Sequence, residues 1–396
     1  MSVPVLLTRA EHSISRRDIP PQALKVLYRL HRGGYIGYLC GGCVRDLLLG
    51  VRPRDFDVVT DAHPQQIRHL FRNSRIIGRR FRLVHILFED EIIETATFRR
   101  TPEAPAPGLD EKAQRDWMNN TFGTAEEDAF RRDFTINALY YAISDFSVLD
   151  YVGGLEDLRA RVVRCIGDPE KRMLEDPVRM LRAVSLSARL DFTLEAGLAD
   201  TIRLHRTEIR STPPSRLMEE FLKIIRCGAS SAIFGRLNTA GLLPIIFPFL
   251  EPVAGTEHFD RFLRILARVD AAVRSGHPLD EPVLVSVLYF PALALQARDW
   301  SPGELFGLTE KLLDAQTDSF FPRVWRHSMQ GLISAAVKLR HPPHKYRRIA
   351  ARSYFQEALE LARLLSAGYP DMGAHLGAWK TLQKSGRIRK DHRRPV

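Results

Sequence analysis

Leu39-Cys40-Gly41-Gly42-Cys43-Val44-Arg45-Asp46-Leu47-Leu48-Leu49-Gly50, with Asp55-Phe56-Asp57-Val58-Val59 a few residues on, decides how this chain is read. An apolar strand runs into a glycine turn and a short helix, and a second strand follows that carries two carboxylates. Side chains alternate across a strand, so Asp55 and Asp57 are expected on one face and Phe56 on the other. Free backbone N–H groups at Gly41 and Gly42, together with the start of a helix, suit phosphate groups, and Arg45 one turn on adds a charge-assisted contact. A tight turn beside an exposed arginine would read the same way on its own. The two aspartates are what tip the balance, because paired carboxylates suit Mg²⁺, which takes water and phosphate oxygens as its other ligands.

Working outward, residues 1–20 read as a polar, basic arm and 21–32 as a helix with Leu24, Leu27, Tyr28 and Leu30 on its apolar side, stopped at Gly33-Gly34. Strands are expected at 35–40 and 55–60, a helix at 64–71, and a hairpin from 83–88 and 92–98 around Glu89-Asp90-Glu91. Residues 101–117, with three prolines and many charges, read as a loop; 131–139 reads as a helix start, and 148–152 as a last strand. Beyond about residue 156 the apolar residues recur at helical spacing, as in 173–190, 217–225, 259–273 and 355–365. The expected class is therefore α+β: a mixed-sheet head (1–155), then an all-helical neck (156–227) and a helical body with a basic C-terminal region (228–396).

At 396 residues the chain has room for about two to four domains. Lys and Arg outnumber Asp and Glu by 58 to 47, a net charge of +11 that favours a polyanionic partner. The end is the most basic part, with Lys384, Arg387, Arg389, Lys390, Arg393 and Arg394 against Asp391, and reads as a disordered basic tail. No apolar run approaches the about 18 residues of a membrane span, and four cysteines do not make a disulfide framework, so a cytoplasmic protein is expected. Cys40 and Cys43 form a C-x-x-C without the further ligands a zinc site needs, and they read as small core residues.

The stretch from Gly41 to Gly50 with Asp55-Phe56-Asp57 resembles the signature of the bacterial tRNA nucleotidyltransferase/poly(A) polymerase family. Further motifs recur in that family's order: Glu94-Thr95-Ala96-Thr97-Phe98-Arg99, Arg131-Arg132-Asp133-Phe134-Thr135-Ile136-Asn137-Ala138, and Glu175-Asp176-Pro177-Val178-Arg179-Met180-Leu181-Arg182-Ala183-Val184. The resemblance covers residues 20–250. It implies a polymerase-β-like nucleotidyltransferase head in which Asp55 and Asp57 hold two Mg²⁺ ions, with Glu94 or Asp133 as a third acidic group, Asp133 near the ribose hydroxyls and Arg132 near the nucleotide. It also implies that Asp176 and Arg179 present acceptors and donors to a base edge and that Arg182 reaches the triphosphate. A local reading gives Asp176 and Pro177 as a helix start, with an Asp176–Arg179 ion pair. The chain departs from the family at Ser185, where an arginine is usual, which puts one phosphate contact in doubt.

Within the family, Arg79, Arg80 and Arg82 and the basic end are similar to the branch that adds poly(A) tails. The resemblance thus implies transfer of AMP from ATP to RNA 3′ ends with release of pyrophosphate. The alternatives are a CCA-adding enzyme and, from another class, an inactive RNA-binding relative; the intact carboxylates argue against the latter. An added phosphohydrolase activity would need a His-Asp doublet, and the chain has none.

Overall fold

The apolar runs at 37–40 and 57–60 become the middle of a mixed sheet in the computed structural model, which describes residues 4–78, 82–101, 121–315 and 321–384. Eight strands form this sheet: β1 (Val5–Leu7), β2 (Gly37–Cys40), β3 (Asp57–Thr60), β4 (Ser74–Ile77), β5 (Leu83–Leu87), β6 (Ile92–Thr97), β7 (Leu139–Ala142) and β8 (Val148–Asp150). They lie in the order β1-β8-β7-β2-β3-β6-β5-β4, antiparallel except for the parallel pair β3 and β6. The helices of this part are α1 (Pro21–Arg32), α2 (Gly42–Leu48), α3 (Pro64–Leu70), α4 (Ala125–Arg131) and α5 (Gly154–Ala160).

Both faces of the central strands are covered. Ala23, Val26, Leu27 and Leu30 of α1 recur at helical spacing and are fully buried, with Leu27 and Leu30 packed over Gly37. Cys40, Val59, Phe98, Ala138 and Tyr140 form the core on the opposite face. Burial on both faces explains why β7, Leu-Tyr-Tyr-Ala, shows no apolar–polar alternation.

Three expectations are corrected. The N-terminal segment is attached rather than a free arm: β1 pairs with β8, Ile14 and Ile19 are buried, and His12 Nε2 lies 2.7 Å from the Phe146 carbonyl oxygen. Residues 131–139 do not open a helix. Instead α4 ends at Arg131, a single 3₁₀ turn spans Thr135–Asn137, and β7 follows. The second strand starts at Asp57, leaving Asp55 in the preceding loop. The hairpin of β5 and β6 and the β2–turn–α2 unit are as expected.

The chain divides into two compact units, Met1–Arg172 with Phe192–Ala199, and Met173–Asp191 with Asp200–Val396. Residues 192–199 join the first because Thr193–Leu194 pairs in parallel with Val162–Val163. In the second unit every regular element described is helical. Its centre is the helix Glu281–Gln296, apolar all round and buried from Val283 to Ala294, packed by Glu257–Arg274, Arg323–Lys338 and Phe355–Leu365. Among the described residues no helix is long and apolar enough to cross a membrane.

One glycine ties α5 to the 3₁₀ turn. A Cβ on Gly154 would lie 2.3 Å from the Thr135 carbonyl oxygen, and Thr135 Oγ1 also donates to Asp157 of α5 at 2.7 Å. Gly154→Ala should therefore lower the unfolding free energy by ~3 kcal/mol in denaturant titration. Gly303→Ala, at a helical glycine with open space around it, should be neutral or stabilise by up to about 1 kcal/mol.

Candidate active site

Strand β2 ends at Cys40 and the chain turns through Gly41 at φ 72°, ψ −132°, a conformation open to glycine alone. Space demands glycine too, since a Cβ there would lie 3.1 Å from Arg132 Nη1. Arg132 is held against the turn by its own segment. Its guanidinium donates to Asp128 at 3.0 and 3.1 Å and to the Asn137 carbonyl at 3.2 Å, and it lies 5.2 Å over the Tyr140 ring. Tyr140 in turn donates to Asp128 at 3.0 Å.

Arg45 lies beneath the turn rather than open above it. It is 2% exposed, donates to Asp46 at 2.6 and 2.8 Å and to Asn137 Oδ1, and its Nη2 faces Gly42. A guanidinium can be buried in this way only with its donors satisfied. Arg45 joins the turn to the Asn137 segment. Cys40 and Cys43 are buried free thiols whose pKa values burial pushes far up, and Cys43 donates to the Cys40 carbonyl at 3.2 Å.

The carboxylates converge through strand register. Cys40 pairs with Asp57 across β2 and β3, which brings Asp57 alongside the glycine turn. Val58 pairs with Thr95 across β3 and β6, so Asp57 and Glu94 are neighbours on adjacent strands. Asp55 and Asp57 are exposed and Phe56 between them is 6% exposed, the alternation expected of them. Glu94 is 55% exposed and lies 3.2 Å from His85 Nε2.

Asp57 is accessible to solvent yet closely surrounded by protein. Burial pushes its pKa up from 3.8 to about 6; the charges of Glu94 and Asp55 add to the rise and Arg132 opposes it. Among the described residues no three His, Cys, Asp or Glu side chains are already gathered as a metal cage. Asp133 follows Arg132 directly, and its Oδ1 accepts from the Phe134 N–H at 2.9 Å, fixing the start of the 3₁₀ turn.

The second unit carries the other expected group. Asp176 is not paired with Arg179: its two oxygens accept from both terminal nitrogens of Arg216, each at 2.6 Å. Arg179 donates instead to Glu175 at 3.3 Å. Arg182 lies on the same helix, Val178–Leu190, and Ser185 turns its hydroxyl back to the Leu181 carbonyl at 2.6 Å. The Arg82 carbonyl accepts from Arg99 Nη2 at 3.1 Å. Arg79, Arg80, Arg387, Arg389 and Lys390, and the loop at 102–117, lie outside the described residues; Lys384 closes the last helix, Leu376–Lys384.

Three residues of this arrangement were not anticipated. Asp128 stands four residues before Arg132 on a helical segment, a legible ion-pair spacing. Asn137 lay inside a recognised motif without a role assigned to it. Arg216 gave no local signal, because its partner is 40 residues away.

A mixed sheet with a glycine turn, an arginine against it and carboxylates gathered from two strands defines a nucleotidyltransferase head. Residues 37–164 match the family model described as Poly A polymerase head domain, and residues 191–253 match the one described as probable RNA and SrmB-binding site of polymerase A. Poly(A) polymerase I of Salmonella typhi is 45% identical over 300 residues, 73% of this chain and 64% of that protein. Poly(A) polymerase I of Escherichia coli O157:H7 is 49% identical over 72% of this chain and 63% of that protein. The CCA-adding enzyme of Bacillus subtilis is 34% identical over 61% of this chain and 60% of that protein. The match thus spans just under two thirds of the length of these curated relatives. The Bacillus stearothermophilus CCA-adding enzyme in complex with CTP superposes with a TM-score of 0.65 over 93% of this chain and 82% of that one, at 23% identity, which is a likeness of fold. Over these residues the chain is similar to members of the tRNA nucleotidyltransferase/poly(A) polymerase family.

The raised pKa of Asp57 has a consequence for stability. The folded protein holds that proton up to about pH 6 and the unfolded chain releases it near 3.8, so wild-type stability falls as pH rises through this window. Asp57→Asn removes the titration. In buffer free of divalent cations its melting temperature should match wild type below pH 4 and exceed it increasingly up to a plateau above pH 6. A difference independent of pH would contradict the assignment.

Proposed function

We propose that this protein is a template-independent polynucleotide adenylyltransferase, transferring AMP from ATP to RNA 3′ ends with release of pyrophosphate in a reducing, cytoplasmic setting. The observation that carries this reading is the gap in identity: 45–49% to poly(A) polymerases I of enteric bacteria against 34–36% to CCA-adding enzymes. The four free cysteines suit the compartment.

The donor set fits Mg²⁺. Asp55 and Asp57 offer hard carboxylate oxygens on one exposed side, and Glu94 and Asp55 add negative charge to the effect of burial at Asp57. These two would hold the metal, with Glu94 beside them; when bound there, metal ions activate the attacking hydroxyl and neutralise the leaving pyrophosphate. The chain's own groups would do the rest. The open backbone at Gly41-Gly42 admits phosphate oxygens closely, and Arg132, fixed by Asp128 and Tyr140, places positive charge against that turn. Asp133 would reach the ribose hydroxyls. In the helical unit Asp176, held flat by Arg216, and Arg179 would read the base edge, and Arg182 would meet the triphosphate. Fixing the carboxylate in this way keeps its remaining lone pairs aimed, so protein rather than template selects the nucleotide.

The solved structures that share the fold are CCA-adding enzymes, so product composition separates the two chemistries. Purified protein given an unstructured RNA and one nucleotide at a time should extend it with ATP into long tails and with CTP hardly at all. Addition of a few residues including C, to tRNA alone, would overturn the reading. Asp55→Ala and Asp57→Ala should each slow addition by about a thousandfold, the equivalent of several kcal/mol of charge stabilisation. Arg216→Ala should keep the maximal rate but raise the KM for ATP and cut the preference for ATP over CTP by about tenfold, one well-made hydrogen bond's share.

A further inference from the structure

The second unit contains a basic recess that no family match covers. It has a volume of about 430 Å³ and is lined by Lys338, His344, Lys345, Tyr346, Arg347, Arg348, Ile349, Arg352 and Tyr354, without a single acidic side chain. Lys345, Arg347, Arg348 and Arg352 are exposed, whereas Ile349 and Ala350 between them are 7% and 9% exposed and anchor the 3₁₀ turn Arg347–Ala351. The chain entering the loop is also held: the fully buried Trp379 donates from Nε1 to the carbonyls of Leu339 at 3.1 Å and His341 at 2.9 Å. The cations are therefore displayed from a braced loop.

Two aromatic rings stand among them. Tyr346 lies with Lys345 Nζ 5.6 Å from its ring centre and His341 at 5.6 Å on another side, and Tyr354 is 37% exposed at the rim. Burial first, and then Lys345, Arg340 and His375, push the His341 pKa down, as expected where positive charge accumulates. Cations that track phosphates, with aromatic faces between them, are the means by which proteins hold single-stranded nucleic acid without reading its sequence. The recess is also of a size that takes small ligands.

We propose that this recess binds single-stranded RNA, its lysines and arginines on the phosphates and Tyr354 and Tyr346 against the bases. It carries no catalytic carboxylate, so its contribution is to hold the substrate. The inference rests on RNA being the substrate, and its test does not need catalysis. Fluorescence anisotropy of an unstructured labelled RNA is measured against the full-length protein without nucleotide across a range of salt, and nucleotide addition is assayed separately. Lys345→Gln/Arg348→Gln should weaken binding about tenfold and reduce the slope of log affinity against log salt by about 1.4, the share of two phosphate contacts on a single strand. Tyr354→Ala should weaken binding about fivefold or more with the salt slope unchanged. In addition assays the charge variant should raise the KM for RNA and leave the KM for ATP and the rate at saturating RNA as in wild type.

Arg264→Gln/Arg268→Gln, two exposed cations on the helix Glu257–Arg274, is the control. An equal loss in that control would make the effect one of general charge and overturn the site. Unchanged RNA affinity in Lys345→Gln/Arg348→Gln would also overturn it, leaving the recess to an acidic protein partner. Normal RNA binding by a wild-type protein that adds no nucleotide would instead count against the proposed activity alone.

Discussion

Everything in the catalytic half of this molecule depends on the register of three strands. Cys40 opposite Asp57, and Val58 beside Thr95, bring the glycine turn, Asp57 and Glu94 together on the central strands of the sheet. A slip of one residue would turn Asp57 inward and Phe56 out, because the side-chain period of a strand is two. The register is secured by what it buries: Leu39 and Val58 under α1 on one face, Cys40, Val59 and Tyr140 in the core on the other. Apolar packing thus determines where the charges stand.

Those charges oppose the fold they sit on. Three carboxylates face the same region, and burial first, then the charges of Glu94 and Asp55, raise the Asp57 pKa to about 6. Arg132 offsets part of this, and it can do so only because Gly41 has no side chain. Arg45, which local reasoning placed beside the phosphates, works one layer deeper and links the turn to Asn137. The carboxylates stand with one buried arginine beneath the glycine turn and one partly buried arginine against it, the arrangement on which the proposed cation site rests.

Much of this was legible in the residues. The β2–turn–α2 unit and the β5–β6 hairpin announce themselves through short apolar runs bounded by glycine or charge. Less was legible where tertiary packing overrules local pattern. β7 is buried on both faces and so lacks alternation, and the segment before it reads as a helix start but closes only a single 3₁₀ turn, Thr135–Asn137, before β7 begins. The weak strand β1 is held by its pairing with β8, and Ile14 and Ile19, buried further along the same segment, lie outside any periodic run. Arg216 could not be found from sequence spacing, since its pairing with Asp176 exists only after the helix Pro214–Ile225 has packed. The helix Glu281–Gln296, apolar on every side, became recognisable as a core element only once its neighbours were seen around it.

The proposed chemistry depends on Asp57 forming part of an anionic site for a divalent cation. The most direct measurement is the carboxyl titration of Asp57 itself, followed by carbon-13 NMR in the full-length protein with and without Mg²⁺. A midpoint near pH 6 without the ion, falling well below 5 at saturating Mg²⁺, is the result this account predicts. An ordinary aspartate titration in the absence of Mg²⁺, or a midpoint that Mg²⁺ does not move, would contradict it.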